Sequence, residues 1–358
     1  MSSMIEEKME IILITYNRSK YLDNTLNQFL NSPFKNCKFT VLDNCSPDNT
    51  PEICAKYEKL FPNMHIVRHS TNIGGNANIL RAVETSESKY TWILGDDDNY
   101  DFSTVDDVID AVVSDKYDFI YVTSCLLPTN KKNPSDKSLN DILEEENNIT
   151  STNKTSSREI HVRELIDIMK GKYFMDMAFI SAYIFRTDSY DSNTLIQAYD
   201  NVPNFFPQFA FISKSVDENY YVYKSKNDII IQGDNPDTDS EHTYTFTKFY
   251  DGWLNSALML KDDNIRRICY QNLDNHSLTT NYYIIVVLVA IMVDKATGRP
   301  NIKNNVLSLI SVLYKLTGWI KGFLISILIL LVYVVPSGIY ARLYKPVYEK
   351  QQEKLGKN

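Results

Sequence analysis

No CxxC pair occurs anywhere in the 358 residues. The five cysteines, Cys37, Cys45, Cys54, Cys125 and Cys269, make an odd count, as expected of reduced, mostly buried thiols in a cytosolic compartment. There is no basic stripe with interleaved aromatics, and 45 acidic residues outnumber 37 basic ones for a net charge of -8. That balance argues against a nucleic-acid partner. The amino terminus, Met1–Lys8, is short and polar and holds no signal-peptide core. GxGxxG is absent, so no dinucleotide fingerprint is present. What remains is ordinary for a globular chain, with 44% hydrophobic and 23% charged residues. The length suits one large domain, or a catalytic domain with an appendage. Tyrosine is abundant at 24 residues, which suits a carbohydrate-facing protein.

The first third alternates strand and helix patterns. Glu10–Thr15 is a continuous β-branched run of the kind buried on both faces of a sheet, and it stops at the polar turn Tyr16-Asn17-Arg18-Ser19. Ser19 is placed to cap a helix reaching Leu30. A second strand, Cys37–Leu42, ends at Asp43-Asn44-Cys45-Ser46-Pro47, and Pro51 opens a helix to about Leu60. Met64–Val67 is a third strand, followed by Asn72-Ile73-Gly74-Gly75-Asn76 and a helix to about Thr85. Tyr90–Leu94 is the fourth. Such β-α alternation predicts a mostly parallel sheet wound with helices, with every polar turn on one rim.

The fourth strand ends in Gly95 and three consecutive carboxylates, Asp96, Asp97 and Asp98. Three adjacent negative charges repel, and no strand interior would keep them. At the mouth of a strand they can share a hard divalent cation, where ligands of open α/β sheets bind. The competing reading of such a triplet alone is a solvated acidic turn.

Farther on, the pattern predicts a helix over Ser103–Ser114 and a strand over Asp118–Val122. Residues 129–157 are polar and aperiodic, read as a long surface loop with a short helix around Leu139–Glu146, either a lid or a tolerated insertion. A helix at Val162–Lys170, a strand at Phe179–Arg186 and helices near Thr194–Tyr199 and Phe205–Lys214 follow. Asn219–Tyr223 and Asp228–Gln232 read as strands. Helical patterns then cover Trp253–Lys261, Ile265–Asn272, Asn281–Asp294 and Ile302–Leu316.

Phe323–Val335 is apolar apart from Ser326 and continues through Pro336 to Tyr340. Lys315 and Lys321 flank it on one side, and Arg342, Lys345 and Lys350 on the other. The run is slightly short of the roughly 20 residues a span needs. A helix lying in or dipping into the inner leaflet, with basic residues at anionic head groups, is the favoured reading. A true span and a buried core helix are the others.

Taken in order, Ile14-Thr15-Tyr16-Asn17-Arg18, Leu42-Asp43-Asn44-Cys45-Ser46-Pro47-Asp48-Asn49-Thr50, Asn72-Ile73-Gly74-Gly75 and Leu94-Gly95-Asp96-Asp97-Asp98 resemble the family 2 glycosyltransferases over roughly residues 9–125. The Leu-Gly-Asp-Asp-Asp form is similar to the abequosyltransferase-like enzymes of bacterial surface-polysaccharide assembly. The resemblance implies a GT-A fold (Rossmann-like α/β, a mostly parallel wound sheet), a nucleotide-sugar donor and a divalent metal, Mn²⁺ or Mg²⁺. Carried over position by position, Thr15, Tyr16 and Arg18 hold the nucleotide base and diphosphate. Asp43 hydrogen-bonds the base, favouring UDP or dTDP because a carboxylate accepts from their N3–H, which cytosine lacks. An Asx turn before Pro47 is the rival role for Asp43.

Gly75 allows close backbone approach, Asn78 and Arg81 follow on the helix, and Arg81 either reaches the diphosphate or stays solvated. Asp96 joins the donor set. Asp97 and Asp98 match the family's DXD-like metal pair, with Asp98 the first choice for direct ligation. The chain departs from the family where inverting members carry an acidic base. That region reads Asn204-Phe205-Phe206-Pro207-Gln208-Phe209, and Gln208 is no useful proton acceptor. Asp176 and Asp200 are nearby carboxylates without a spacing argument, so no base is assigned.

These readings divide the chain into 1–125, the nucleotide-sugar half; 126–158, a polar loop; 159–242, the acceptor half; 243–317, a helical region; and 318–358, a membrane-associating helix with a basic tail. The expected function is transfer of a sugar to a glycan or polyprenyl-diphosphate-linked acceptor, on the cytoplasmic face of the bacterial inner membrane. A nucleotidyltransferase and a non-catalytic nucleotide- or glycan-binding scaffold remain as alternatives. The former should carry a Gly-rich basic loop after the first strand, which Thr15–Ser19 lacks.

Overall fold

The computed structural model describes residues 2–126, 158–169, 177–232, 246–271 and 282–354. The predicted loop 129–157 and Asp176 lie outside them. The chain forms two compact units. One gathers Met1–Leu165, Asp176–Tyr199 and Glu218–Asn235; the other gathers Ile166–Met175, Asp200–Asp217 and Pro236–Asn358.

In the first unit, α1 (Ser2–Lys8) leads into β1 (Met9–Thr15), α2 (Ser19–Leu30), β2 (Lys38–Asp43), α3 (Thr50–Glu58), β3 (Met64–Arg68), α4 (Gly75–Thr85) and β4 (Tyr90–Leu94). The runs that lack polar alternation are the ones buried on both faces: β4 is buried throughout and β1 at every residue but Ile14. Beyond them come β5 (Asn99–Tyr100), α5 (Asp106–Ser114), β6 (Phe119–Tyr121), β7 (Ser124–Leu126), β8 (Glu159–His161), α6 (Val162–Met169), β9 (Tyr183–Arg186) and α7 (Ser192–Asp200). Then follow α8 (Phe209–Glu218), which belongs mostly to the second unit, β10 (Tyr221–Lys224) and β11 (Ile230–Gln232).

Eight strands form one sheet in the order β3-β2-β1-β4-β9-β6-β10-β8. β9 runs antiparallel to both its neighbours and β8 antiparallel to β10, while the other pairings are parallel. The mostly parallel wound sheet expected from the sequence is therefore present. A small sheet, β5-β11-β7, lies apart from it. The chain steps outward from β1 to β3 and then returns to place β4 on the other side of β1. That reversal opens a crevice at the carboxyl ends of β1 and β4. Phe29 of α2 anchors the core beneath it, meeting Phe39, Trp92, Tyr100 and Phe102 edge-on at 5.0–6.0 Å.

Several local expectations are corrected. Ser19 is the first residue of α2 and not its cap. Arg18 holds the cap position, and the Ser19 N–H is taken by Asp48 Oδ2 at 2.8 Å, a carboxylate from the next loop. The predicted helix over Ser103–Ser114 is split, because Asp101 Oδ1 accepts from Ser103 N and tightens Phe102–Thr104 into a 3-10 turn. The predicted strand from Phe179 begins only at Tyr183. Before it, Ser181 is drawn aside by Trp92 Nε1, which donates to its carbonyl at 2.7 Å. The helix expected from Phe205 starts at Phe209, since Phe205 takes a left-handed φ of 70° ahead of Pro207.

The second unit includes α9 (Phe246–Ala257), α10 (Asp263–Gln271), α11 (Tyr282–Ala296), α12 (Ile302–Thr317), α13 (Trp319–Val334) and α14 (Ser337–Lys354). Trp253 is fully buried, its Nε1 donating to Cys269 O at 2.9 Å while Phe206 and Phe209 meet its face. Buried Asp294 of α11 accepts from Phe246 N and Thr247 N and so closes the amino end of α9. The apolar run predicted from Phe323 through Tyr340 is broken at Val335-Pro336, and α13 and α14 meet there at 83°. Among the described residues no single helix is long and apolar enough to cross a membrane.

Replacing Phe29 with Ala empties the centre of the aromatic cluster and is expected to destabilise the first unit by about 3–5 kcal/mol. A lowered urea midpoint with an unchanged slope is the readout, and an unchanged midpoint would refute the packing account.

Candidate active site

The register that pairs Leu13 with Leu94 runs out two residues before Thr15 and Asp96, which face each other at the crevice. Thr15 Oγ1 donates to Asp96 Oδ2 at 2.6 Å, and Arg18 Nη1 donates to Asp96 Oδ1 at 2.8 Å. The other arm of the guanidinium, Nη2, reaches Asp97 Oδ2 at 2.8 Å. From α2, Thr25 Oγ1 donates to the Asp96 carbonyl and Gln28 Nε2 to that of Asp98. The triplet is thus held by its backbone as well as by its charges. Burial pushes the Asp96 carboxyl up to about 7; Arg18 opposes this and the Asp97 charge adds to it. The two carboxylates outweigh burial at Arg18 and hold its guanidinium above its ordinary range.

A second cluster lies at the ends of β2 and β3. Asp43 is 1% exposed, and Oδ1 accepts from Ser46 N, three residues on, at 2.8 Å, closing the turn after β2. Its Oδ2 is buried, accepts no hydrogen bond and stands 3.6 Å from Arg68 Nε. Two other buried polar atoms here make no hydrogen bond: His69 Nε2, whose backbone N–H donates to Asp43 O, and Asn78 Oδ1, whose amide donates to Leu42 O. Burial lowers the His69 pKa, and Arg81 adds to that effect.

Side chains unassigned in the sequence tie the turns together. Asn44 Nδ2 donates to Asn72 Oδ1, while Asn44 Oδ1 accepts from Ile73 N and Arg81 Nη1. Ser46 Oγ accepts from Asn17 N, and Arg68 Nη2 donates to Ser46 O. Asn44, Ser46, Asp48 and His69 were missed as site residues. For Asn44 the available signal was a short polar residue just after a predicted strand, where a side chain can bond a neighbouring loop; Ser46, Asp48 and His69 carried no such signal.

The structure gathers Thr15, Arg18, Asp96 and Asp97 through direct bonds and places Asp98 beside them, 4% exposed. Tyr16 is 39% exposed on the same turn. Asp43 and Asn78 belong to the second cluster, Arg81 spends its guanidinium on Asn44 Oδ1 and Thr71 O, and Gly75 begins α4. Asp200 is an exposed residue at the end of α7, and Asp176 lies outside the described residues. Gln208 is 6% exposed, and its carbonyl accepts from Phe211 N at the start of α8 in the second unit.

Among the described residues no group of three His, Cys, Asp or Glu side chains converges as a closed metal cage. A divalent cation bound mainly by substrate phosphates needs only one or two carboxylates. Both oxygens of Asp96 are engaged, whereas Asp97 carries only Oδ2 to Arg18. A Cβ at Gly95 would crowd Asp97 Oδ1 to 3.2 Å, so glycine leaves that oxygen room. Asp97 therefore keeps an oxygen with room for a hard cation, next in sequence to Asp98.

Removing the guanidinium in Arg18→Met leaves Asp96 buried without its cation and is expected to cost about 3 kcal/mol, the low end for a broken buried pair because Arg18 is partly exposed. The double change with Asp96→Asn should recover most of that loss. Additive losses in the denaturant cycle would show the two residues uncoupled.

The family model "Glycosyl transferase family 2" matches residues 10–221. The putative teichuronic acid biosynthesis glycosyltransferase TuaG of Bacillus subtilis is 27% identical over 92 residues, covering 26% of this chain and 36% of that protein. The abequosyltransferase RfbV of Salmonella typhimurium is 35% identical over 88 residues, covering 24% of this chain and 26% of that protein. The chain thus spans only about a quarter to a third of the length of these curated relatives. The crystal structure of S. aureus TarS 1-349 in complex with UDP-GlcNAc superposes with a TM-score of 0.55 at 15% identity, over 91% of this chain and 89% of that one. That likeness assigns a GT-A-like α/β fold followed by carboxyl-terminal helices. With the carboxylates gathered at the switch of its sheet and the family model matching more than half its length, the chain belongs to glycosyl transferase family 2.

Proposed function

We propose that the chain is a metal-assisted glycosyltransferase of bacterial surface-polysaccharide synthesis. It takes a sugar from a nucleoside-diphosphate donor, UDP or dTDP, and passes it to a glycan acceptor, lipid-linked and at the cytoplasmic face of the inner membrane. The observation that carries this reading is the meeting of Thr15, Arg18 and three adjacent carboxylates at the ends of β1 and β4. The names of TuaG and RfbV, and the UDP-GlcNAc bound by TarS, support the substrate class.

The roles follow from the geometry. Asp43 spends one oxygen on its own turn and keeps Oδ2 as an acceptor for the N3–H of uracil or thymine. Tyr16 offers an exposed ring as a stacking face. Asp97 and Asp98 would hold Mn²⁺ or Mg²⁺, whose charge stabilises the departing diphosphate. Arg18, oriented by Asp96 and Asp97, would bring a fixed positive charge to the same place. The exposed apolar surface of the carboxyl-terminal helices, bordered by basic residues, supports the membrane location. No residue is assigned as general base.

Binding across UDP-, dTDP-, CDP- and GDP-sugars, with and without Mn²⁺, tests the reading. Uracil or thymine donors should bind best and only with metal. Asp98→Ala should abolish the metal-dependent binding, and Asp43→Ala should weaken binding about tenfold, the size of one lost hydrogen bond of about 1.4 kcal/mol. Binding that survives without metal and without Asp98 would remove the metal assignment.

A further inference from the structure

We infer that α13 and α14 form a re-entrant wedge that enters one leaflet of a bilayer and returns to the same side. This rests on the membrane location proposed above and specifies how the surface is used. Apart from Lys321 in its first turn, half-buried with its ammonium 5.5 Å from the Tyr283 ring, α13 is apolar around its circumference. Gly322, Ile325, Ser326 and Ile329 are buried, with Gly322 set so close to Tyr314 of α12 that a Cβ would stand 2.9 Å from its Cα. The opposite face is also aliphatic and open: Ile320 is 79% exposed and Val334 70%, with Leu324, Leu328 and Leu331 between them. A surface helix normally turns polar residues outward, and an outer face of this composition fits hydrocarbon. Lys315 before α13, and Arg342 and Lys345 on α14, are exposed cations suited to anionic head groups.

The break between the helices carries the argument further. The last carbonyls of a helix have no partner within it, and in hydrocarbon each must find one in the protein. Tyr340 Oη donates to Val332 O at 2.8 Å, and Lys295 Nζ of α11 donates to Tyr333 O. The Lys295 ammonium also lies over the rings of Tyr333 and Tyr340, at 4.8 and 5.9 Å. The turn at Val335-Pro336 therefore has backbone capping by side chains drawn from two other turns of the same unit. A solvated turn has water for that purpose. An 83° bend suits a broken span as well as a re-entrant pair, and the basic residues before and after it favour the re-entrant form.

The test uses the full chain with an epitope tag after Asn358, expressed in bacteria and followed in inside-out and right-side-out membrane vesicles. Protease is expected to reach the tag and the sheet unit from the same side of a membrane-bound chain. Tag and sheet unit on opposite sides would establish a span and overturn the wedge alone. A chain that stays in the soluble fraction would overturn the membrane location as well. On vesicles of phosphatidylcholine and phosphatidylglycerol at about 7:3, Leu324→Glu with Leu331→Glu should lower the bound fraction about tenfold or more, because two charges enter hydrocarbon. Both positions are exposed, so donor binding should be unchanged. Unchanged vesicle binding would overturn the proposal. So would a lipid-free dimer that the same double change dissociates, which would give the face to a second copy of the chain.

Discussion

Everything at the candidate site depends on one guanidinium between two carboxylates. Three adjacent aspartates at a buried strand end would repel, yet Arg18 bridges Asp96 and Asp97 at 2.8 Å each and Thr15 takes the remaining oxygen of Asp96. The bridge can form because β1 and β4 are neighbours in parallel register, so the turns that follow them open at the same height. Asp96 has both carboxylate oxygens bonded and holds Arg18 in place, whereas Asp97 gives only Oδ2 to Arg18, so under the proposed metal role Asp97 and Asp98 are the carboxylates that would meet the cation. A cation arriving there meets charge already half compensated. Its affinity then depends on the phosphates it brings with it, which is the usual manner of Mg²⁺ and Mn²⁺ at substrate sites.

The remaining rim is fastened by amides in place of charges. Asn44 links the turn after β2 to the turn after β3 and to Arg81, and Ser46 links it to the turn after β1. Loops bonded to one another in this way lose little further freedom when a donor binds, the general advantage of a preorganised site. Arg81 illustrates the consequence. The sequence offers it as a phosphate ligand or a solvated side chain, and in the fold its Nη1 ties the third turn to the second.

How much of this was legible in the sequence depended on whether the cause was local. The wound sheet was legible because β1 and β4 lack polar alternation and the strand runs end abruptly in polar turns. The shared rim followed from connection rules alone. Ser19 was misplaced as a cap because the carboxylate that meets its N–H comes from Asp48, 29 residues away. The start of α8 was misplaced because Phe205 adopts a left-handed backbone that no local pattern signals. Asn44 and His69 went unassigned for the same reason, since their partners become neighbours only once the sheet is formed. The bend after α13 was half visible. Pro336 announced a kink, but the Lys295 and Tyr340 contacts that support it are tertiary.

Asp43 resolves a choice that the sequence poses as exclusive. An Asx turn before Pro47 and a hydrogen bond to a base compete there for one side chain. A carboxylate has two oxygens, and the fold uses them differently: Oδ1 closes the turn on Ser46, while Oδ2 stays buried without a hydrogen bond, 3.6 Å from Arg68 Nε. The turn fixes the carboxyl plane, and a fixed plane aims the second oxygen. An asparagine could close the same turn through its carbonyl oxygen, but it would then present an NH₂ donor where Oδ2 now accepts. Under the proposed base contact, aspartate is therefore the residue that would satisfy the turn and still accept from an N–H of a ligand, the structural role preparing the binding one.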